Sequence, residues 1–186
     1  MMQLYDLTCD LNSFASFLLK TRDSAAWGNG WFEGTIRGNS YPLVSGERNR
    51  EESDVIRSEV LPDFTHFDLS PIPTFSAHAR EVLDDLLTPH GEFAVIELNE
   101  PMRYFAFNAT TMVDVLDEAR SEIARFRSGG VMAVDKHVLL DSVTALPPIF
   151  KIPQTRRNTT YVNETFVERV QASGLKGFRF ELLFER

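Results

Sequence analysis

Cysteine is almost missing from this chain: of 186 residues, only Cys9 carries a thiol. That excludes an intramolecular disulfide and a cysteine-based metal site, and it leaves Cys9 as a buried, inert thiol. Long apolar runs are also missing. No uncharged stretch approaches the roughly 20 residues that a membrane-crossing helix needs. The opening Met1-Met2-Gln3-Leu4-Tyr5-Asp6 has neither a basic nor an apolar signal region. No secretory leader is expected, and the chain reads as cytoplasmic. Asn108, Asn158 and Asn163 each open a glycosylation triplet, which carries no weight without such a leader. His66, His78, His90 and His137 are too scattered to form the local pairs of a zinc site. There is no Gly-x-Ser-x-Gly elbow. Gly28, Gly30 and Gly34 only superficially resemble a dinucleotide loop, because the third glycine comes one residue late. No cofactor and no metal are expected.

Phenylalanine is plentiful, at 15 residues against 4 Tyr and 2 Trp, which points to a core built on Phe. The apolar fraction of 43% and charged fraction of 25% fit a globular protein. The length suits a single domain over 1–186. The net charge of -8 is unevenly spread. There are 11 acidic and 6 basic side chains over residues 1–79, 10 and 3 over 80–122, and 6 and 10 over 123–186. An acidic front half argues against nucleic-acid binding, which relies on clustered Lys and Arg, and suits a basic protein partner better.

Periodicity predicts an α+β fold, with a mostly antiparallel sheet and two or three packed helices. Residues 3–8 alternate as a first strand. Asp10 or Asn12 then caps a short helix over Phe14, Phe17, Leu18 and Thr21. Residues 22–53, rich in glycine and scattered aromatics, read as the most exposed and variable part. A strand is predicted over 55–60, followed by an extended stretch over 61–75. Ser76 caps a helix whose stripe is Ala79, Val82, Leu83, Leu86 and Leu87. Residues 92–98 and 103–107 form a central hairpin, apolar on both faces. Thr111 to Asp114 reads as a capping box before a helix bearing Met112, Val115, Leu116 and Ala119. A hairpin follows, turning at Ser128-Gly129-Gly130, then a short strand over 149–152. A helix runs from Asn163 to a stop at Gly174, and the last strand has an inner face that is largely Phe.

The stretch 104–121 is where chemistry would be sought first. On a helix, Asp114, Asp117 and Glu118 would share one face, and paired carboxylates can bind a metal or do acid–base work. That arrangement would make a metal-dependent hydrolase. The residues favour a plainer role, since no His or Lys stands ready to complete a site. Trp27 and Trp31, beside the acidic Glu51, Glu52 and Asp54, form the alternative: a partner-binding surface, because aromatics dominate interface hot spots. Packing of the two tryptophans under a long loop is the competing role. A stand-alone ligand-binding module is a third class.

The order of motifs says more than any one of them. It runs through Asp68 and Ser76; Leu83, Leu86 and Leu87; Gly91-Glu92-Phe93; and Phe107-Asn108-Ala109-Thr110. It continues with Asp114-Val115-Leu116-Asp117 and Ser121; Ile149-Phe150-Lys151; Phe166; and Gly174-Leu175-Lys176-Gly177-Phe178 with Phe180. This series resembles an immunity-protein family of bacterial polymorphic toxin systems, named after a myxobacterial member and long catalogued as a domain of unknown function. The match covers about residues 64–184 and leaves 1–60 as a variable N-terminal part. The resemblance implies a small cytoplasmic α+β protein that neutralises a cognate toxin by stoichiometric binding. It brings no catalytic residues, and it implies that Asn108, Asp114, Asp117 and Ser121 are framework.

Overall fold

A computed structural model describes residues 1–20, 27, 30–38, 40–49, 59–67 and 71–186. The strands begin with β1 (Gln3–Cys9), β2 (Phe17–Leu19), β3 (Val44–Arg48), β4 (Phe64–His66), β5 (Pro73–Ser76) and β6 (Gly91–Leu98). They continue with β7 (Tyr104–Ala109), β8 (Glu122–Arg125), β9 (Val131–Lys136), β10 (Ile149–Phe150), β11 (Tyr161–Asn163) and β12 (Phe178–Glu185). The helices are α1 (Ala77–Val82), α2 (Asp84–Leu87) and α3 (Glu164–Ser173). Among the described residues strand outweighs helix by 39% to 16%, so the α+β class is weighted towards β.

Six strands in the order β2-β3-β6-β7-β5-β4 form one sheet, and a bridge between Phe17 and Phe67 brings its two ends together. The sheet therefore nearly closes into a barrel. The expectation of a mostly antiparallel sheet needs correcting for β3, which runs parallel to β6. Its chain reaches β6 only after passing through β4, β5 and the first helices, so the connection is a crossover and not a hairpin. The four-stranded sheet β10-β11-β1-β12 packs beside the barrel, and β8 and β9 form a separate hairpin.

Side-chain alternation sorts the core. Val44, Ala94, Ile96, Tyr104 and Ala106 gather with Phe17 and Phe67 on the inner side of the curled sheet. Phe64, Phe75 and Phe107 face the other way and meet Leu7, Val162 and Phe166. Each fully buried Phe removes enough apolar surface from water to contribute about 2–3 kcal/mol. The phenylalanine-rich composition thus builds the joint between the barrel wall, the second sheet and α3.

Several expectations hold in detail. The Ser76 hydroxyl accepts from the Ala79 N–H at 3.0 Å. The Asn163 side chain accepts from Phe166 N–H at 3.1 Å, and Gly174 ends α3 at φ 69°. The stripe after Ser76 is split at Leu83, which separates α1 from α2, yet Ala79, Leu83, Leu86 and Leu87 are all buried.

Other expectations change. No helix spans residues 11–20. Asp10 accepts from the Asn12 and Ser13 N–H groups and forms a turn, so that Phe17 enters a strand paired with β3. The helix expected after Thr111 is also absent. Val113 N–H donates to Lys151 O, Lys151 N–H to Thr111 O, Asp117 N–H to Val138 O and Leu140 N–H to Val115 O. The backbone groups that a helix would use internally are spent on two flanking segments, which suits the β-branched Thr111, Val113 and Val115. In β12, Leu183 is an extra residue with no partner on β1. This bulge moves Phe184 to a different cluster from Phe178 and Phe180, so the final strand has no single phenylalanine face. Of the strand expected over 55–60, residues 55–58 lie outside the described residues, and Glu59 and Val60 form no strand.

Asp6 on β1 stands opposite Glu181 on β12. Burial, reinforced by Glu181, pushes its carboxyl up to about 6. The unfolded chain holds this proton with a value near 4. Between those values folding takes up a proton, so this contribution to stability is complete below about pH 4 and is lost as pH rises through about 6. Asp6→Asn is expected to stabilise the fold by up to about 2 kcal/mol at pH 7.5 and by almost nothing at pH 3.5. Denaturant titrations at the two pH values measure the difference.

Candidate functional site

Two strands organise the site. In the β6–β7 hairpin, Glu92 pairs with Asn108, Ala94 with Ala106, Val95 with Phe105 and Ile96 with Tyr104. Alternation sends Glu92, Ala94 and Ile96 to the same side of β6 and Val95 to the other. The polar pair Glu92/Asn108 lies at one end of the hairpin and holds the loop over residues 30–42.

Asn108 is fully buried, and its side chain meets both demands of that loop. Its carbonyl accepts from Gly34 N–H at 3.0 Å, while its amide donates to Thr35 O at 2.8 Å and to the Tyr41 hydroxyl at 2.9 Å. Glu92 accepts from Arg37 N–H at 2.7 Å, Gly38 N–H at 2.8 Å and the Tyr41 hydroxyl at 3.0 Å. Burial raises the Tyr41 phenol above its ordinary value, so it stays protonated and donates to the carboxylate. The loop is thereby fixed by side chains 50 and more residues away in sequence. Within residues 22–53, expected to be the most exposed part, the described Trp27, Phe32 and Val44 are core residues.

On the outward side of the same hairpin lies an apolar row. Leu43 precedes Val44, which pairs with Ile96, so Leu43 stands beside Val95, and Val95 faces Phe105. Leu43 is 60% exposed and Val95 51%. The Arg80 guanidinium covers one end of the row, 4.3 Å from the Phe93 ring centre and 4.6 Å from that of Phe105. Two open grooves of about 240 and 520 Å³ flank it, the first lined by Tyr41, Pro42 and Phe93, the second by Leu98, Met102 and Phe105. Glu47 and Glu97 are exposed beyond the row, with exposed Arg103 across the hairpin. Neither glutamate has an ion-pair partner among the described residues.

The partner-binding residues expected from sequence fare differently. Trp27 is only 6% exposed, donates to Pro42 O at 2.9 Å and packs against Phe32. It belongs to the core, which corrects its assignment to a partner surface. Trp31 is half-buried, with Arg37 5.1 Å from its ring centre and Tyr41 beside it. Glu51, Glu52 and Asp54 lie outside the described residues. The outward row leaves no mark in the sequence, where Val95 and Phe105 look like ordinary central-strand residues and Leu43 falls in the glycine-rich stretch.

Asp114, Asp117 and Glu118 do not sit on a helix. Asp117 accepts from the Ala119 and Arg120 N–H groups and pairs with the Arg120 side chain at 2.6 Å, fixing the turn into β8. Asp114 and Glu118 converge on the Gln154 amide, at 3.1 and 2.8 Å, and Glu118 also binds Arg125. The Ser121 hydroxyl both donates to Val138 O and accepts from Val138 N–H. All four therefore hold backbone or neighbouring side chains. Among the described residues, no group of three His, Cys, Asp or Glu side chains is placed to hold a metal ion.

Lys151 is a second residue that the sequence reading left unassigned. It is 2% exposed and donates to Arg156 O at 2.9 Å. Burial pulls its ammonium down to about 8, against the opposing charge of Glu33, which in turn pairs with Arg157 at 3.1 Å. No helix among the described residues is long and apolar enough to cross a membrane. No protein-family model matches the chain, and no curated protein matches it.

Proposed function

We propose that this chain is an immunity protein: a cytoplasmic, single-domain bacterial protein that binds a cognate toxin stoichiometrically and neutralises it. The observation that carries the reading is the outward-facing row Leu43–Val95–Phe105 on the barrel wall, in which Leu43 and Val95 are exposed. Apolar side chains held on a rigid sheet and flanked by grooves are suited to act as anchors, because little ordering entropy is lost when a partner docks. Glu47 and Glu97 at the row, together with the net charge of -8, favour a basic toxin and faster capture of it. The order of motifs along residues 64–184 supports the same assignment. A hydrolase built on Asp114, Asp117 and Glu118 is disfavoured, because each carboxylate is already engaged by protein donors.

Co-expression tests the reading in cells. Wild-type chain is expected to restore growth of cells producing the toxin encoded beside its gene, and to elute with that toxin in gel filtration. Val95→Arg, which places charge in the centre of the row, is expected to abolish rescue while expressing as a folded protein. Failure of the wild type to rescue or to co-elute would overturn the proposal.

A further inference from the structure

We propose that two copies of this chain associate through their β12 strands, paired antiparallel about a two-fold axis at Phe180, so that Arg179 of each copy faces Glu181 of the other. The two sheets β10-β11-β1-β12 then join into one eight-stranded sheet. The inference goes beyond toxin binding and uses a different face of the molecule.

The first observation is the edge itself. β12 is the terminal strand of its sheet, eight residues long, and among the described residues no strand lies beyond it. The other terminal strands of the two larger sheets are short, with two residues in β10 and three each in β2 and β4. Shortness, proline and lysine are among the means by which an edge is kept from pairing. Residues 178–182 of β12 have none of these; their two charges are of opposite sign, and the bulge lies beyond them at Leu183. Half of its N–H and C=O groups point away from β1, as in any antiparallel edge.

The second observation is the register of its side chains. Phe178, Phe180 and Leu182 stand opposite Cys9, Leu7 and Tyr5, while Arg179 and Glu181 stand opposite Thr8 and Asp6. Arg179 and Glu181 thus share one face of the sheet, and Phe178, Phe180 and Leu182 share the other. An antiparallel two-fold at Phe180 keeps every pair on its own face. It sets Arg179 against Glu181 twice, Phe178 against Leu182 twice, and Phe180 against itself. The bulge at Leu183 ends the regular ladder just beyond this segment.

The third observation is charge. Arg179 and Glu181 are both exposed, and neither has an ion-pair partner among the described residues. Glu181 instead faces Asp6, a second carboxylate. Like charges directly opposite each other are unfavourable, and opposite charges are favourable. A second copy supplies the missing cation at both ends of the ladder. It also covers Leu182, which is 46% exposed in the single chain. A partner strand of arbitrary sequence would offer no such match, which is why the occupant is a second copy.

Sedimentation equilibrium of the full chain, alone and across a concentration series, tests the pairing. Wild type is expected to show a monomer–dimer equilibrium. Glu181→Arg, which sets arginine against arginine at both positions, is expected to weaken the dimer at least roughly tenfold. The charge-swapped double variant Arg179→Glu/Glu181→Arg is expected to recover it, which no loss of folding could mimic. Amide exchange across residues 178–182 should slow as concentration rises. A chain that stays monomeric, a dimer indifferent to Glu181→Arg, or a dimer lost in the single variant and not recovered in the double would each overturn the proposal. So would β12 amides that are protected only when toxin is added.

Discussion

Asn108→Ala is expected to destabilise the fold by about 3–5 kcal/mol and to release the loop over residues 30–42. The side chain it removes makes hydrogen bonds to Gly34, Thr35 and Tyr41 with no exposure to water. Each buried group left without its partner costs about 1–3 kcal/mol. Glu92 holds the same loop through Arg37, Gly38 and Tyr41. The double variant with Glu92→Ala is therefore expected to cost less than the two single changes added together, since either change already frees the shared segment. Urea unfolding followed by tryptophan fluorescence reads both effects, because Trp31 lies in this loop and Trp27 donates to Pro42 at its end. Additive losses, or a single loss below 1 kcal/mol, would show that the polar pair is not what fixes it.

Gly177→Ala is the second change with a large expected effect. Gly177 has φ +91°, a conformation that side-chain-bearing residues rarely adopt. An added Cβ would lie 2.4 Å from Phe64 O and 2.7 Å from Pro62 Cβ. Neither neighbour can retreat. Asp63 and Phe64 both donate backbone N–H groups to Lys176 O, and Asp63 also accepts from Lys176 N–H and from the Ser76 hydroxyl. This knot joins β4 of the barrel to the start of β12, where Phe64 and Phe178 stack with ring centres 4.6 Å apart. Backbone strain of about 1–3 kcal/mol adds to an overpacking cost of similar size. Against a typical total stability of about 5–15 kcal/mol, the combined loss should lower the melting temperature by roughly 5–20 °C. Circular dichroism melting checks this, and a melting temperature within a few degrees of wild type would contradict it.

These two positions show how far the sequence alone could reach. Elements governed by neighbours in sequence were legible. Ser76 and Asn163 as caps, Gly174 as a stop and Ser128-Gly129-Gly130 as a turn all act within a few residues of themselves. Residues 111–121 were misread because their apolar spacing fits a helix, while their backbone partners, Lys151, Val138 and Leu140, are distant in sequence. Local pattern cannot reveal that competition. The short helix expected over Phe14 to Thr21 failed for the same reason, since Phe17 is claimed by β3 and Phe67.

The site was less legible than the fold. Aromatic residues near acidic ones pointed to Trp27 and Trp31, but a tryptophan also fills core space, as Trp27 does here. A sequence shows the type of side chain and not its exposure. The row Leu43–Val95–Phe105 arises only when β3 and β6 pair in parallel, a contact across more than 50 residues. One clue was available. Glu92 and Asn108 sit at matching ends of two apolar strands joined by a short link, and a hairpin register brings them face to face.

Calorimetric titration of the purified toxin tests the proposed capture by the barrel wall most directly. Wild-type chain should bind at one to one, and Val95→Arg should bind at least roughly 100-fold more weakly. The melting temperature of that variant should stay close to wild type, because Val95 faces outward. Absence of binding by the wild-type chain, or equal affinity in Val95→Arg, would contradict the account.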